Sequence, residues 1–193
     1  MNNPGQDLSE IRSMMEKSSR VLFLSGLAGI VIGCIALAGV FFSQYINGSV
    51  TPDKVQGYLL ADAMLVLVAA IVTVLFFSNR MARQKGLPGW NATVQHLVTE
   101  LAVPLSAGGA VCIALLIHET YWLLPSTMLV FYGLALFGAS KYAVTEVRFL
   151  GLAQLCLGIL AAIIPDHALN LWALGFGACH IVFGLRIYFA YER

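Results

Sequence analysis

Six stretches of this chain, near residues 22–42, 58–78, 97–117, 121–140, 147–165 and 169–189, are each apolar for the length of a membrane crossing. A hydrocarbon core of about 30 Å needs roughly 20 residues of helix. In lipid every backbone N–H and C=O must be satisfied internally, so an apolar run of this length is read as a helix. The sequence therefore predicts an all-α integral membrane protein with six transmembrane helices. The longest remaining pieces, 1–21, 79–96 and 43–57, are too short to bury cores of their own. No soluble catalytic or binding domain is expected, and the chemistry of this chain is confined to the bilayer and its surfaces. Composition agrees: 59% of the residues are hydrophobic and 11% charged, where a soluble domain has about 45–50% and about 25%. A net charge of +1 offers no basic field to nucleic acid.

Basic residues fix the expected orientation. Arg12, Lys17 and Arg20 precede the first span, Arg80, Arg83 and Lys85 follow the second, Lys141 and Arg148 flank the loop between spans four and five, and Arg186 and Arg193 close the chain. Ten bases thus fall on one side, and Lys54 alone falls on the other. Because positive residues are retained in the cytoplasm, both termini are expected there, in a multi-pass cell inner membrane. Twenty mostly polar residues precede a 21-residue apolar run, so the first span is read as a helix and not as a cleavable signal. Residues 1–21 form an N-terminal segment in which Asp7 and Glu10 fit a capping box and Leu8, Ile11 and Met15 share a face. That amphipathic segment either lies on the inner leaflet, docks a partner, or extends the first span. Residues 22–193 make the membrane domain.

The outer loops at 118–120 and 166–168 are so short that spans three and four, and spans five and six, must be antiparallel hairpins. The loop at 43–57 is longer, with Asn47-Gly48 and Thr51-Pro52-Asp53 as turn signals. Three sequential hairpins follow, 22–78, 97–140 and 147–189. They also share words. Gly26-Leu27-Ala28 and Gly33 recur as Gly151-Leu152-Ala153 and Gly158, an offset of 125. Cys34-Ile35-Ala36-Leu37 recurs as Cys112-Ile113-Ala114-Leu115, an offset of 78. Phe137-Gly138 with Tyr142 recurs as Phe183-Gly184 with Tyr188, an offset of 46. The copies all start on the same side, which predicts parallel repeats around a pseudo-threefold axis along the membrane normal. Ser25, Gly29 and Gly33 share a face of span one, and Gly177 and Gly184 stand in span six. Small residues let helix backbones approach in lipid, where no hydrophobic force drives association. Internal packing is the expected use of these stripes, with a dimerisation face as the alternative.

On these residues the segment Gly151–Arg193, with Gly158, Pro165, Gly177, Gly184 and the closing Arg186-Ile187-Tyr188, resembles the hairpin repeat of the bacterial acid-resistance membrane protein family. The opening Glu10–Glu16, with Ser18-Ser19-Arg20, looks like the start of an uncharacterised group of bacterial integral membrane proteins. The first resemblance implies a small six-helix inner-membrane protein. It supplies no catalytic residues to carry over.

An ionisable residue inside a span is costly and is by default a functional candidate. Three qualify: His180 at mid-depth of span six, Asp62 in the outer part of span two, and Glu100 in the inner part of span three. Sampling three depths, they suit a proton relay; as separate structural residues, two lie near an interface and the third needs only a hydrogen bond. Pro104, four residues after Glu100, frees a backbone carbonyl in span three. Cys34, Cys112, Cys156 and Cys179 lie inside spans without CxxC or HxxxH spacing, so no metal or other cofactor is expected. No GxSxG, Walker, HExxH or GxGxxG motif occurs, and no enzyme activity is expected. The readings carried forward are a non-catalytic accessory or stress-response membrane component, whose partners are the bilayer and a membrane protein or a second copy, and a small proton-linked transporter or channel with a central site at His180. A lipid-modifying enzyme is the weakest alternative.

Overall fold

A computed structural model describes residues 25–84 and 92–193. The N-terminal segment 1–21, Lys85 and Trp90 lie outside the described residues. Among the described residues six helices are long and apolar enough to cross a membrane: α1 Gly26–Ser49, α2 Pro52–Gln84, α3 Ala92–Ile117, α4 Leu124–Ala139, α5 Thr145–Ile163 and α6 Pro165–Ala190. Consecutive helices pack as hairpins, α1 with α2, α3 with α4 and α5 with α6. Helix bounds differ from the apolar runs because hydropathy marks a hydrocarbon crossing, whereas a helix stops only where its backbone is capped. The 43–57 segment shows this most clearly and corrects the expected loop. Asn47-Gly48 is helical, α1 continues to Ser49, and the turn is confined to Val50 and Thr51. The Thr51 carbonyl accepts from Lys54 N–H at 3.0 Å and Val55 N–H at 3.1 Å, so Thr51 caps α2, and Pro52 takes the first helical position, where its missing N–H costs nothing.

The turn from α3 to α4 is as tight as the sequence requires. Thr120 N–H reaches back to the Leu115 carbonyl at 2.8 Å and Glu119 N–H to Leu116 at 3.2 Å. This is a Schellman ending, and it holds Glu119 at φ 55, a left-handed position usually given to glycine. At the other end of the bundle the chain closes on itself. The Glu192 carboxylate accepts from the Gly26 backbone N–H and from the Ser25 hydroxyl, the latter at 3.3 Å. A carboxylate at a helix N-terminus satisfies an orphan donor and complements the helix dipole, so the end of α6 is tied to the start of α1.

Two interfaces between hairpins are made almost backbone to backbone. On α1, a Cβ at Gly33 would stand 2.7 Å from the Gly177 carbonyl oxygen of α6, and one at Gly184 of α6 would stand 2.7 Å from both the Gly26 oxygen and the Ile30 nitrogen. The stripes on spans one and six therefore face each other within the chain. On α4 and α5, a Cβ at Gly133 would stand 2.8 Å from the Gly151 oxygen, and one at Gly158 would stand 2.8 Å from the Val130 nitrogen. Around these seams lie two buried clusters. Leu136, Ala139, Ala143, Val144, Val147, Leu150 and Ile187 pack with Leu97 near the tied end. Leu129, Ala161 and Ala168 pack toward the opposite end.

By contrast, α2 packs on α1 and α3 packs on α4, and among the described residues the two form no comparable seam with each other. Almost nothing of their most apolar stretches is buried. The architecture is a tight core of α1, α6, α5 and α4, flanked by α2 and α3.

Candidate functional site

His180 sits where α6 leaves a wide π segment, Ala173–Cys179, and resumes as an α-helix over His180–Ile187. It is 4% exposed. Its Nδ1 lies 3.0 Å from the carbonyl oxygen of Gly175, and its Nε2 lies 2.9 Å from the Tyr132 hydroxyl of α4. A carbonyl only accepts, so Nδ1 carries the proton and donates; with the imidazole neutral, Nε2 accepts from the Tyr132 O–H. Both ring nitrogens are satisfied in the neutral imidazole. The π segment brings the Gly175 carbonyl within reach of a second donor, Gln154 Nε2 of α5, at 2.9 Å. Gln154 is fully buried, and its Oε1 has no hydrogen-bond partner among the described residues. Four groups from three helices thus converge on one point: Tyr132, Gln154, His180 and the carbonyl of Gly175.

An aromatic column seats the imidazole. Trp172, Phe176 and His180 succeed one another four residues apart on α6, with ring centroids 4.8 and 5.8 Å apart, and Phe176 lies within 9° of parallel to the imidazole. Tyr132 closes the group, 4.9 Å from Phe176 and 5.5 Å from His180. Packing and hydrogen bonds together hold the ring in one rotamer.

The other two candidates do not join it. Asp62, on α2, lines a cavity of ≈ 520 Å³ bounded by α1, α2, the start of α4 and the start of α6. His180 borders a separate cavity of ≈ 70 Å³, with Tyr132, Val74 and Ser78 among its walls. Ile32 of α1 borders both, and Phe176 belongs only to the larger. Glu100, on α3, points elsewhere: it pairs with Lys141 at 3.5 Å and lies against Gly138. Pro104 stands inside a continuous α3, and the carboxylate four residues before it is engaged with Lys141 instead of a freed backbone.

At the tied end Arg186 reaches the buried Glu146 carboxylate at 3.4 Å while its own side chain stays 70% exposed. Glu146 lies in the first turn of α5, where a negative charge is favoured. Arg148 sits over the Phe137 ring at 5.4 Å. These contacts fit guanidinium groups that leave their stems along an apolar surface. The four cysteines are free. Among the described residues no three His, Cys, Asp or Glu side chains come together as metal ligands.

Tyr132 and Gln154 carry no charge and Glu146 lies just outside the predicted span 147–165, so the search for ionisable residues inside spans picks out none of them. A signal for the first two was available. Counted from the outer ends of the predicted spans, Tyr132, Gln154 and His180 are each the twelfth residue, a matched depth in spans four, five and six.

No protein-family model, curated protein or solved structure matches this chain. The likeness of its last hairpin to the acid-resistance family rests on the residues quoted above.

Proposed function

We propose that the protein is a multi-pass inner-membrane component of non-catalytic type, an accessory or stress-response protein that works by packing and binding within the bilayer. The observation that carries this reading is the state of His180: both ring nitrogens are occupied by groups of the protein itself. A relay residue needs a nitrogen that can exchange its proton with a mobile donor or acceptor. Asp62 and Glu100, the partners a relay would need, stand in another cavity and in an ion pair. Both termini are assigned to the cytoplasm on the ten-to-one distribution of bases. The bilayer is the partner of the apolar surfaces of α2 and α3.

The same reading takes the hairpins as parallel repeats. Gly26 and Gly33 of α1 face the backbone of α6, and Gly151 and Gly158, at the offset of 125, face the backbone of α4. Equivalent glycines doing equivalent work support a common ancestor for the two hairpins. At the offset of 78 the third copy carries Pro104 and Val111 in their place. Neither side chain leaves the open face that a glycine offers, in keeping with the lack, among the described residues, of a comparable seam between α2 and α3.

Reconstitution in liposomes with a pH-gradient dye tests the reading against the proton-linked one. The expected result is no proton flux above that of empty liposomes, with the wild type and His180→Leu indistinguishable. Flux in the wild type that His180→Leu abolishes would overturn it.

A further inference from the structure

The larger cavity has a wall and a charge that do not match each other. At ≈ 520 Å³ it has the size of a small-molecule site. Val66, Leu67, Met128, Trp172 and Phe176 give it apolar and aromatic walls, and Gln44 and Gln56 stand among its few polar side chains. Among the described residues Asp62 is the one acidic or basic side chain that lines it. Its carboxylate lies over Gly39 of α1, on the face of α2 turned toward the cavity. Among the described residues no cation and no hydrogen-bond donor engages it. Carboxylates at membrane depth normally pair with a base or with backbone donors, because the charge is costly to leave uncompensated.

We propose that this cavity binds a compact hydrophobic organic cation, with Asp62 as its countercharge. Charge complementarity and wall chemistry select this occupant. The positive centre compensates Asp62, and the apolar body fills the space between α2 and α6 beside Trp172 and Phe176. The surrounding end of the bundle favours the same sign, since Glu119 and Asp166 are there and, among the described residues, Lys54 is its one lysine or arginine. An organic anion is repelled. A zwitterionic lipid would bring its phosphate beside Asp62 along with its ammonium. The inference goes beyond the non-catalytic reading and does not rest on His180, so proton-flux and binding measurements can fail independently.

Two ions of the same shape and opposite charge provide the test. Tetraphenylphosphonium and tetraphenylborate are titrated calorimetrically into the purified full chain in uncharged detergent. Tetraphenylphosphonium is expected to bind, to bind at least tenfold more tightly than tetraphenylborate, and to lose at least tenfold in affinity in Asp62→Asn, which keeps the side-chain shape. Tetraphenylborate is expected to gain in that variant. Ala63→Trp, which fills the cavity from α2, is expected to weaken the cation without touching the carboxylate. Equal binding of the two ions, an unchanged cation affinity in Asp62→Asn, or no binding of the cation to the wild type would each overturn the proposal.

Discussion

Gly184→Val is expected to destabilise the folded chain by about 3 kcal/mol or more, the upper range for overpacking a tight interface. The new Cβ would stand 2.7 Å from the Gly26 oxygen and the Ile30 nitrogen, and both are backbone atoms that cannot swing aside as a side chain would. Relief requires α1 and α6 to separate, and separation also breaks the tie from Glu192 to Gly26 and Ser25. Gly109→Ala is the matched control. Nothing lies within 4 Å of a Cβ at Gly109, so the substitution is expected to be neutral or to stabilise by up to about 1 kcal/mol through helix propensity. Thermal unfolding of the purified protein in detergent separates the two. Equal losses in both variants would mean that α1 and α6 are not seated on each other.

His180→Leu is expected to cost about 2 kcal/mol. The variant keeps an apolar side chain of similar bulk but leaves the Tyr132 hydroxyl without its acceptor, and a buried polar group left unmade costs about 1–3 kcal/mol. The Gly175 carbonyl keeps Gln154 Nε2 as a donor, so only part of the network is lost. Tyr132→Phe alone is expected to cost about 1 kcal/mol, within the range of interhelical hydrogen bonds in membranes. In the His180→Leu background it is expected to cost nothing, because the hydroxyl has already lost its partner. Independent, additive losses in that double-mutant cycle would show that the two side chains are not coupled.

The six helices are legible because a hydrocarbon crossing imposes both a length and a polarity on the chain, and no sequence context overrides it. The hairpins are legible for a related reason: three-residue connections at 118–120 and 166–168 leave no other neighbour within reach. The seams were half legible. Glycine spacing marks a face that permits close approach, but nothing in the spacing says which helix approaches it, and Gly26 meets Gly184 across 158 residues of chain. Where α1 ends was misleading, since Asn47-Gly48 is a strong turn signal in water and yet sits comfortably in a helix that continues to Ser49.

Of the site, His180 stood out because it is an ionisable side chain at mid-depth, whereas Tyr132 and Gln154 were passed over because neither carries a charge. In an apolar surround a hydroxyl and an amide need partners almost as much as an imidazole does. Matched depth in three spans is the pattern that identifies such a cluster. The π segment was not legible at all. It depends on Gly175 meeting donors from α5 and α6 together, and that is a property of the assembled core. Asp62 is legible as an ionisable side chain inside a span, but the sequence does not say which cavity it faces, and that cavity is distinct from the one bordered by His180.

The non-catalytic role requires His180 to be a neutral imidazole with its proton on Nδ1, held between the Gly175 carbonyl and the Tyr132 hydroxyl. Nitrogen-15 NMR of histidine-labelled protein, with His180 assigned by comparison with His180→Leu, reads that state directly. At neutral pH one protonated and one unprotonated ring nitrogen are expected, with the proton on Nδ1 and in slow exchange with water. An imidazolium, a proton on Nε2, or rapid exchange at Nδ1 would contradict it.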